Sequence, residues 1–154
     1  GEARVAAFSI NGWDTHANQG TEQGTLPRKF AELDASLAQL KLGLGSTWQN
    51  TVVVVMTEFG RTVRVNGSLG TDHGTASVAF LAGGSVSKFT SGSAVTGPWP
   101  GLGENSLRDG RDLQPTNDIR QLLVEVLNLH MGYDQRTLRE LVFPGLSASG
   151  FTRV

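Results

Sequence analysis

Apolar residues recur along this chain in two rhythms, one of helical and one of strand period. Leu26, Phe30, Leu33, Leu37, Leu40 and Leu44 follow at steps of four and three, drawing one stripe along a helix. Pro27 suits the first turn of that helix, and Gly43 and Gly45 mark its end. Arg4 to Ile10 is short and apolar and runs into Asn11-Gly12, which predicts a strand ending in a turn. Thr51 to Thr57 reads TVVVVMT. Its valines favour a strand, and unbroken apolarity predicts burial on both faces, as in a central parallel strand after a crossover helix. Val78 to Ala82 is a second short apolar strand, closed by Gly83-Gly84. Residues 85–115 form a glycine-rich excursion, long for a plain connection and without strong periodicity. Ile119, Leu122, Leu123, Val126 and Leu127 predict a helix from Asn117 to His130, capped by Thr116. Asp134 is placed to cap a short last helix carrying Leu138, Leu141 and Val142, stopped by Pro144-Gly145. The alternation defines an α/β class, with fewer convincing strands than the roughly 5–6 of a mean sheet.

Composition narrows the function. The 154 residues carry Lys+Arg 13 against Asp+Glu 14, a net charge of −1. That balance gives no electrostatic case for nucleic acid or an anionic membrane. Hydrophobic residues at 38% argue against a disordered chain. With no Cys, disulfides, thiolate catalysis and cysteine-ligated zinc are excluded. No apolar run approaches the roughly 20 residues of a transmembrane segment. The chain starts at Gly1 without an initiating Met, which points to a processed product or a fragment.

The chemistry-bearing residues gather where strands should end. In Gly12-Trp13-Asp14-Thr15-His16, side chains at i and i+2 share one side of an extended segment, so Asp14 and His16 can converge on one cation. A turn-capping Asp beside a surface His gives the same spelling. Glu58 follows the valine run directly, where ligands sit in open α/β sheets. It can ligate a metal, act as a base, or pair with Arg61 or Arg64. Those two arginines offer planar forks for an anionic substrate, or are solvated surface charges. In Thr71-Asp72-His73-Gly74, His73 is a ligand candidate, and Asp72 either joins it or orients a neighbouring group. A turn in which Asp72 bonds its own backbone is the structural alternative. Gly67, Gly70 and Gly74 would let this backbone approach a ligand closely. His130 falls in the last turn of a helix, where positive charge is favourable. No nucleophile elbow, Walker loop or dinucleotide fingerprint is present.

The phrases GWDTH, VVVVMTEFGR and NGSLGTDHG, in that order, closely resemble the DUF1501 family of uncharacterised proteins, related to the alkaline phosphatase/sulfatase superfamily. The resemblance covers most of Phe8 to Phe143. It implies the C-terminal portion of an alkaline phosphatase-like α/β/α sandwich with a partly parallel sheet, residues 1–154 being part of a larger domain. It implies a missing N-terminal half-domain that holds the nucleophile, and a bacterial protein that is exported or periplasmic. Asp14 and His16 resemble a metal-binding pair that precedes a helix and strand. Glu58 and Phe59 stand where an Asp-His pair is usual, and Phe59 cannot ligate. His73 resembles a further ligand; the alternative alignment puts Asp72 and His73 on the pair itself.

Two functions follow as expectations. One is a metal-dependent hydrolase of phosphate or sulfate esters, with a divalent zinc, manganese or calcium ion at Asp14, His16 and His73, Glu58 bridging to or forming a weaker second site, and Arg61 and Arg64 toward the anion. The other is a catalytically inactive exported binding or scaffold protein. Substrate, metal and oligomeric state are not written in the sequence.

Overall fold

A computed structural model describes residues 3–90, 92, 94–147 and 149–152. Helix α1 spans Thr25–Leu44, and Gly45, at φ 52°, turns the chain out of it. A 3₁₀ segment, Gly45–Asn50, leads to strand β1, Val53–Val55. Two short strands follow, β2 (Gly60–Arg61) and β3 (His73–Gly74), then β4 (Phe80–Ala82). The excursion at 85–115 contains the hairpin β5 (Leu107–Arg108) and β6 (Asp112–Leu113). Helix α2 spans Ile119–Leu129, and α3, Gln135–Thr137, runs into a wider turn at Leu138–Val142.

The sheets correct the expected architecture. Among the described residues the strands make three two-stranded antiparallel sheets, β1–β4, β2–β3 and β5–β6. This is a mixed α/β fold, not a partly parallel alkaline phosphatase-like sandwich. The reason lies in the connection from β1 to β4. A parallel return needs a crossover, usually a helix. Residues 56–79 contain only the β2–β3 ladder, so the chain doubles back and Val53, Val54 and Val55 face Ala82, Leu81 and Phe80. The valine run accordingly forms a shorter strand than TVVVVMT suggests, half-buried rather than covered on both faces. The strand expected at Arg4 to Ile10 does not form. Those residues are exposed and lack ladder partners, with Phe8 81% accessible.

The core gathers instead around α2. Phe89, Leu122 and Val126 are buried together, with Val52, Val54, Ala79, Leu81 and Phe151 packed against them. The apolar stripe of α1 forms as its period dictates, yet none of its residues is fully buried and Phe30 is 45% exposed. Asp118, not Thr116, caps α2, its carboxylate accepting from the Arg120 amide at 2.9 Å. Asp134 caps α3, accepting from the Thr137 amide at 2.8 Å. His130 closes α2, but its imidazole is not held charged there. Burial pushes its pKa down, and the nearby Lys88 adds to that push. Desolvation and the neighbouring cation outweigh the backbone hydrogen bond to Asn50, which favours the charged ring.

Candidate metal centre

Three pieces of irregular or short extended chain meet in front of α1. Residues 13–19 run beside the loop 66–71. Their backbones are tied by Asn18 N–H to the Ser68 carbonyl (3.0 Å), Gln19 N–H to Leu69 (2.9 Å) and Thr71 N–H to Thr15 (3.1 Å). Gly70 permits this approach. A Cβ there would lie 2.2 Å from the His16 carbonyl carbon. Gly70 and Gly74 therefore serve contacts between backbones rather than approach to a ligand. Trp13 packs edge-on against Phe30, centroids 5.1 Å apart, and fastens the first segment to α1.

Alternation of the extended chain then sorts the side chains. Thr15 and Thr71 turn inward, and both hydroxyls donate to Gln19 Oε1 at 2.7 Å. Asp14 and His16, flanking Thr15, turn outward, and the adjacent Asp72 and His73 are both exposed, which strict alternation alone would not give. His16 Nε2 lies 3.0 Å from Asp14 Oδ1, and His73 Nε2 lies 3.1 Å from the same oxygen. The two imidazole Nε2 atoms are 3.3 Å apart. Ligands about 2.0–2.1 Å from a tetrahedral ion stand about 3.3 Å apart, and an octahedral arrangement brings them to about 3 Å. The triangle has the size of one face of a coordination sphere. Its side chains are 48–54% exposed, so the remaining positions of a bound ion would face solvent. Three protein ligands and an open position mark catalytic rather than structural sites.

The surroundings hold the triangle in place. Asp72 Oδ1 lies 3.4 Å from His16 Nδ1. A carboxylate only accepts, so with an ion on Nε2 this contact would favour the proton on Nδ1. Phe59 stacks on His73, centroids 4.1 Å apart at 28°. Arg61 donates through Nη1 to Asp14, through Nη2 to the Thr71 carbonyl, and through Nε to the Thr71 hydroxyl at 3.0 Å. Burial opposes charge on Asp14. Hydrogen bonds from His73 and Arg61, with the charges of His16 and Arg61, outweigh it and hold the carboxyl below its usual pKa. Asp72 is lowered chiefly by its hydrogen bond from Asn66, then by that from His16.

Of the sequence candidates, Asp14, His16 and His73 come together, with Asp72 and Arg61 adjoining them. Glu58 is exposed and outside the group of converging ligand atoms, its neighbour Phe59 taking the place against His73. Arg64 pairs with Glu104 on the surface. Sequence reasoning passed over Asn66, whose side-chain amide donates to Asp72 Oδ1 (2.9 Å) and to the His16 carbonyl (3.0 Å). The signal was its Asn-Gly turn dipeptide, which marks a loop without saying what the amide reaches.

The chain belongs to the DUF1501 family, proteins of unknown function, whose model matches residues 1–142. No curated protein and no solved structure matches it.

Proposed function

We propose that this DUF1501 chain binds one divalent transition metal at Asp14, His16 and His73, and that the site serves hydrolysis of an anionic ester. The observation that carries this reading is the 3.0, 3.1 and 3.3 Å triangle of Oδ1 and two Nε2 atoms. Two imidazoles and a carboxylate suit zinc or manganese better than calcium, which prefers all-oxygen shells. A bound ion would supply a Lewis acid and lower the pKa of a coordinated water. The chain's own residues would do the rest. Asp72 keeps His16 turned to the site, Phe59 fixes the plane of His73, and Arg61 stands beside Asp14 with its guanidinium available to an oxyanion. With Glu58 outside the cluster, the described residues gather ligands for one ion. The exposed Val5 and Phe8, with Phe30 and Leu42 exposed on α1, support reading residues 1–154 as part of a larger domain that supplies the remaining catalytic groups.

Elemental analysis and zinc or manganese titration of the purified chain test the site against the variant Asp14→Ala/His16→Ala/His73→Ala. One equivalent is expected for the wild type and none for the variant, and equal uptake would overturn the assignment. Turnover of simple phosphate and sulfate esters by the longer protein tests the reaction. If metal binds there without turnover, the stacked Phe59, in place of a ligand, favours the second reading of a binding or scaffold protein.

A further inference from the structure

We infer that Asn66 is a positioning residue for the metal centre, acting on His16 through Asp72. The inference rests on the metal reading above. The Asn66 amide is saturated. Its Nδ2 donates both hydrogens, to Asp72 Oδ1 at 2.9 Å and to the His16 carbonyl at 3.0 Å. Its Oδ1 accepts from the Ser68 and Gly70 amides at 2.9 and 3.1 Å. A primary amide has two donors and two acceptor lone pairs, and here all four are used. The partners also fix which end is which, since two acceptors face the nitrogen and two N–H groups face the oxygen.

One side chain thus joins three things that must keep register. It closes the loop 66–70, which its own backbone also closes by Asn66 N–H to the Gly70 carbonyl at 2.8 Å. It binds the backbone of the residue that supplies one ligand. It holds the carboxylate that contacts the far nitrogen of that same ligand, His16 Nδ1, at 3.4 Å. Among the described residues, Asn66 Nδ2 and His16 Nδ1 are the side-chain nitrogens on Asp72 Oδ1, so Asn66 anchors that carboxylate on the side away from the ligand. Partners of this kind govern ligand orientation and metal affinity by about 10–100-fold.

Asn66→Asp separates the two halves of the role. It keeps an oxygen for the Ser68 and Gly70 amides and removes both donors, setting a like charge against Asp72. Asp72→Ala, at a half-exposed side chain, removes the intermediary and leaves the Ser68 and Gly70 amides on Asn66 Oδ1. Zinc affinity by competition titration, with ring ¹⁵N shifts of His16 in the zinc-loaded protein, reads the outcome, and far-UV circular dichroism checks the fold. The expected result is about 10–100-fold weaker zinc binding for each variant, a His16 Nδ1 signal shifted from wild type, and a double variant no weaker than the poorer single one. Wild-type affinity in either folded variant, or fully multiplicative losses in the double, overturns the role of Asn66 while leaving the metal site standing. If Asn66→Asp does not fold, an unchanged affinity and unchanged His16 shift in Asp72→Ala overturn it alone. If the wild type takes up no zinc, the metal reading falls and this role with it.

Discussion

Replacing Gly70 by Ala tests whether the ligand-bearing segment is placed by backbone contact. The added Cβ would stand 2.2 Å from the His16 carbonyl carbon, 2.3 Å from its oxygen and 2.5 Å from the Ala17 nitrogen. These are backbone atoms, so no side chain can swing aside. Ordinary contact begins near 3.4 Å, and residues 13–19 must part from loop 66–71 by about 1 Å. The Thr71-to-Thr15 bond, now 3.1 Å, would then open beyond hydrogen-bond range. Overpacking costs about 1–3 kcal/mol, and a lost hydrogen bond adds about 1 kcal/mol. The expected loss is about 2–4 kcal/mol, a fall in Tm of about 4–16 °C for a chain of this size. Zinc affinity should fall at least about tenfold, because His16 moves with its backbone. Gly67→Ala is the control, since a Cβ there meets nothing within 4 Å. Differential scanning calorimetry and zinc titration decide it. Equal Tm and equal affinity for the two variants would refute the reasoning.

Other outcomes follow from single contacts. Phe59→Ala should weaken zinc binding by about 2–12-fold, the equivalent of one stacking contact of about 0.5–1.5 kcal/mol, with little change in circular dichroism. Asp118→Ala removes the cap of α2 and should cost about 1 kcal/mol, read as a Tm lower by about 2–4 °C. His130 has a folded pKa below its unfolded value of about 6.5. The unfolded chain therefore binds the extra proton first, and the contribution is complete above about pH 6.5 and lost as pH falls through the folded pKa. Urea unfolding at pH 7.5 and 5.5 should show wild type losing more stability on acidification than His130→Gln. Parallel slopes would contradict the burial argument.

Local periodicity made the helices legible. The α1 stripe and the cap at Asp134 depend on residues within a few positions of each other, so spacing alone carries them. Strand direction was not legible, because it depends on the path of residues 56–79 rather than on the valines. Burial was not legible for Arg4 to Ile10 either, since apolar residues form a strand only where another edge accepts their backbone. At the site, the i, i+2 spacing anticipated that Asp14 and His16 share a side, and they do. The link from Asn66 to His16 spans fifty positions and arises only when the 66–71 loop lies along residues 13–19. Helix-end reasoning placed His130 correctly at the close of α2, but its charge depends on desolvation, which spacing does not show.

The ion pair between Arg61 and Asp14 has a consequence for charge. One carboxylate and one guanidinium already cancel at the heart of the cluster. With the Asp72 carboxylate also beside His16, a divalent cation entering among the imidazoles would leave a local excess of about one positive charge next to Arg61. Cation and oxyanion are then linked ligands, and linkage is reciprocal: whatever factor sulfate or phosphate adds to zinc affinity, zinc adds to theirs. Zinc titrations with and without sulfate at constant ionic strength measure that factor, and Arg61→Gln should shrink it.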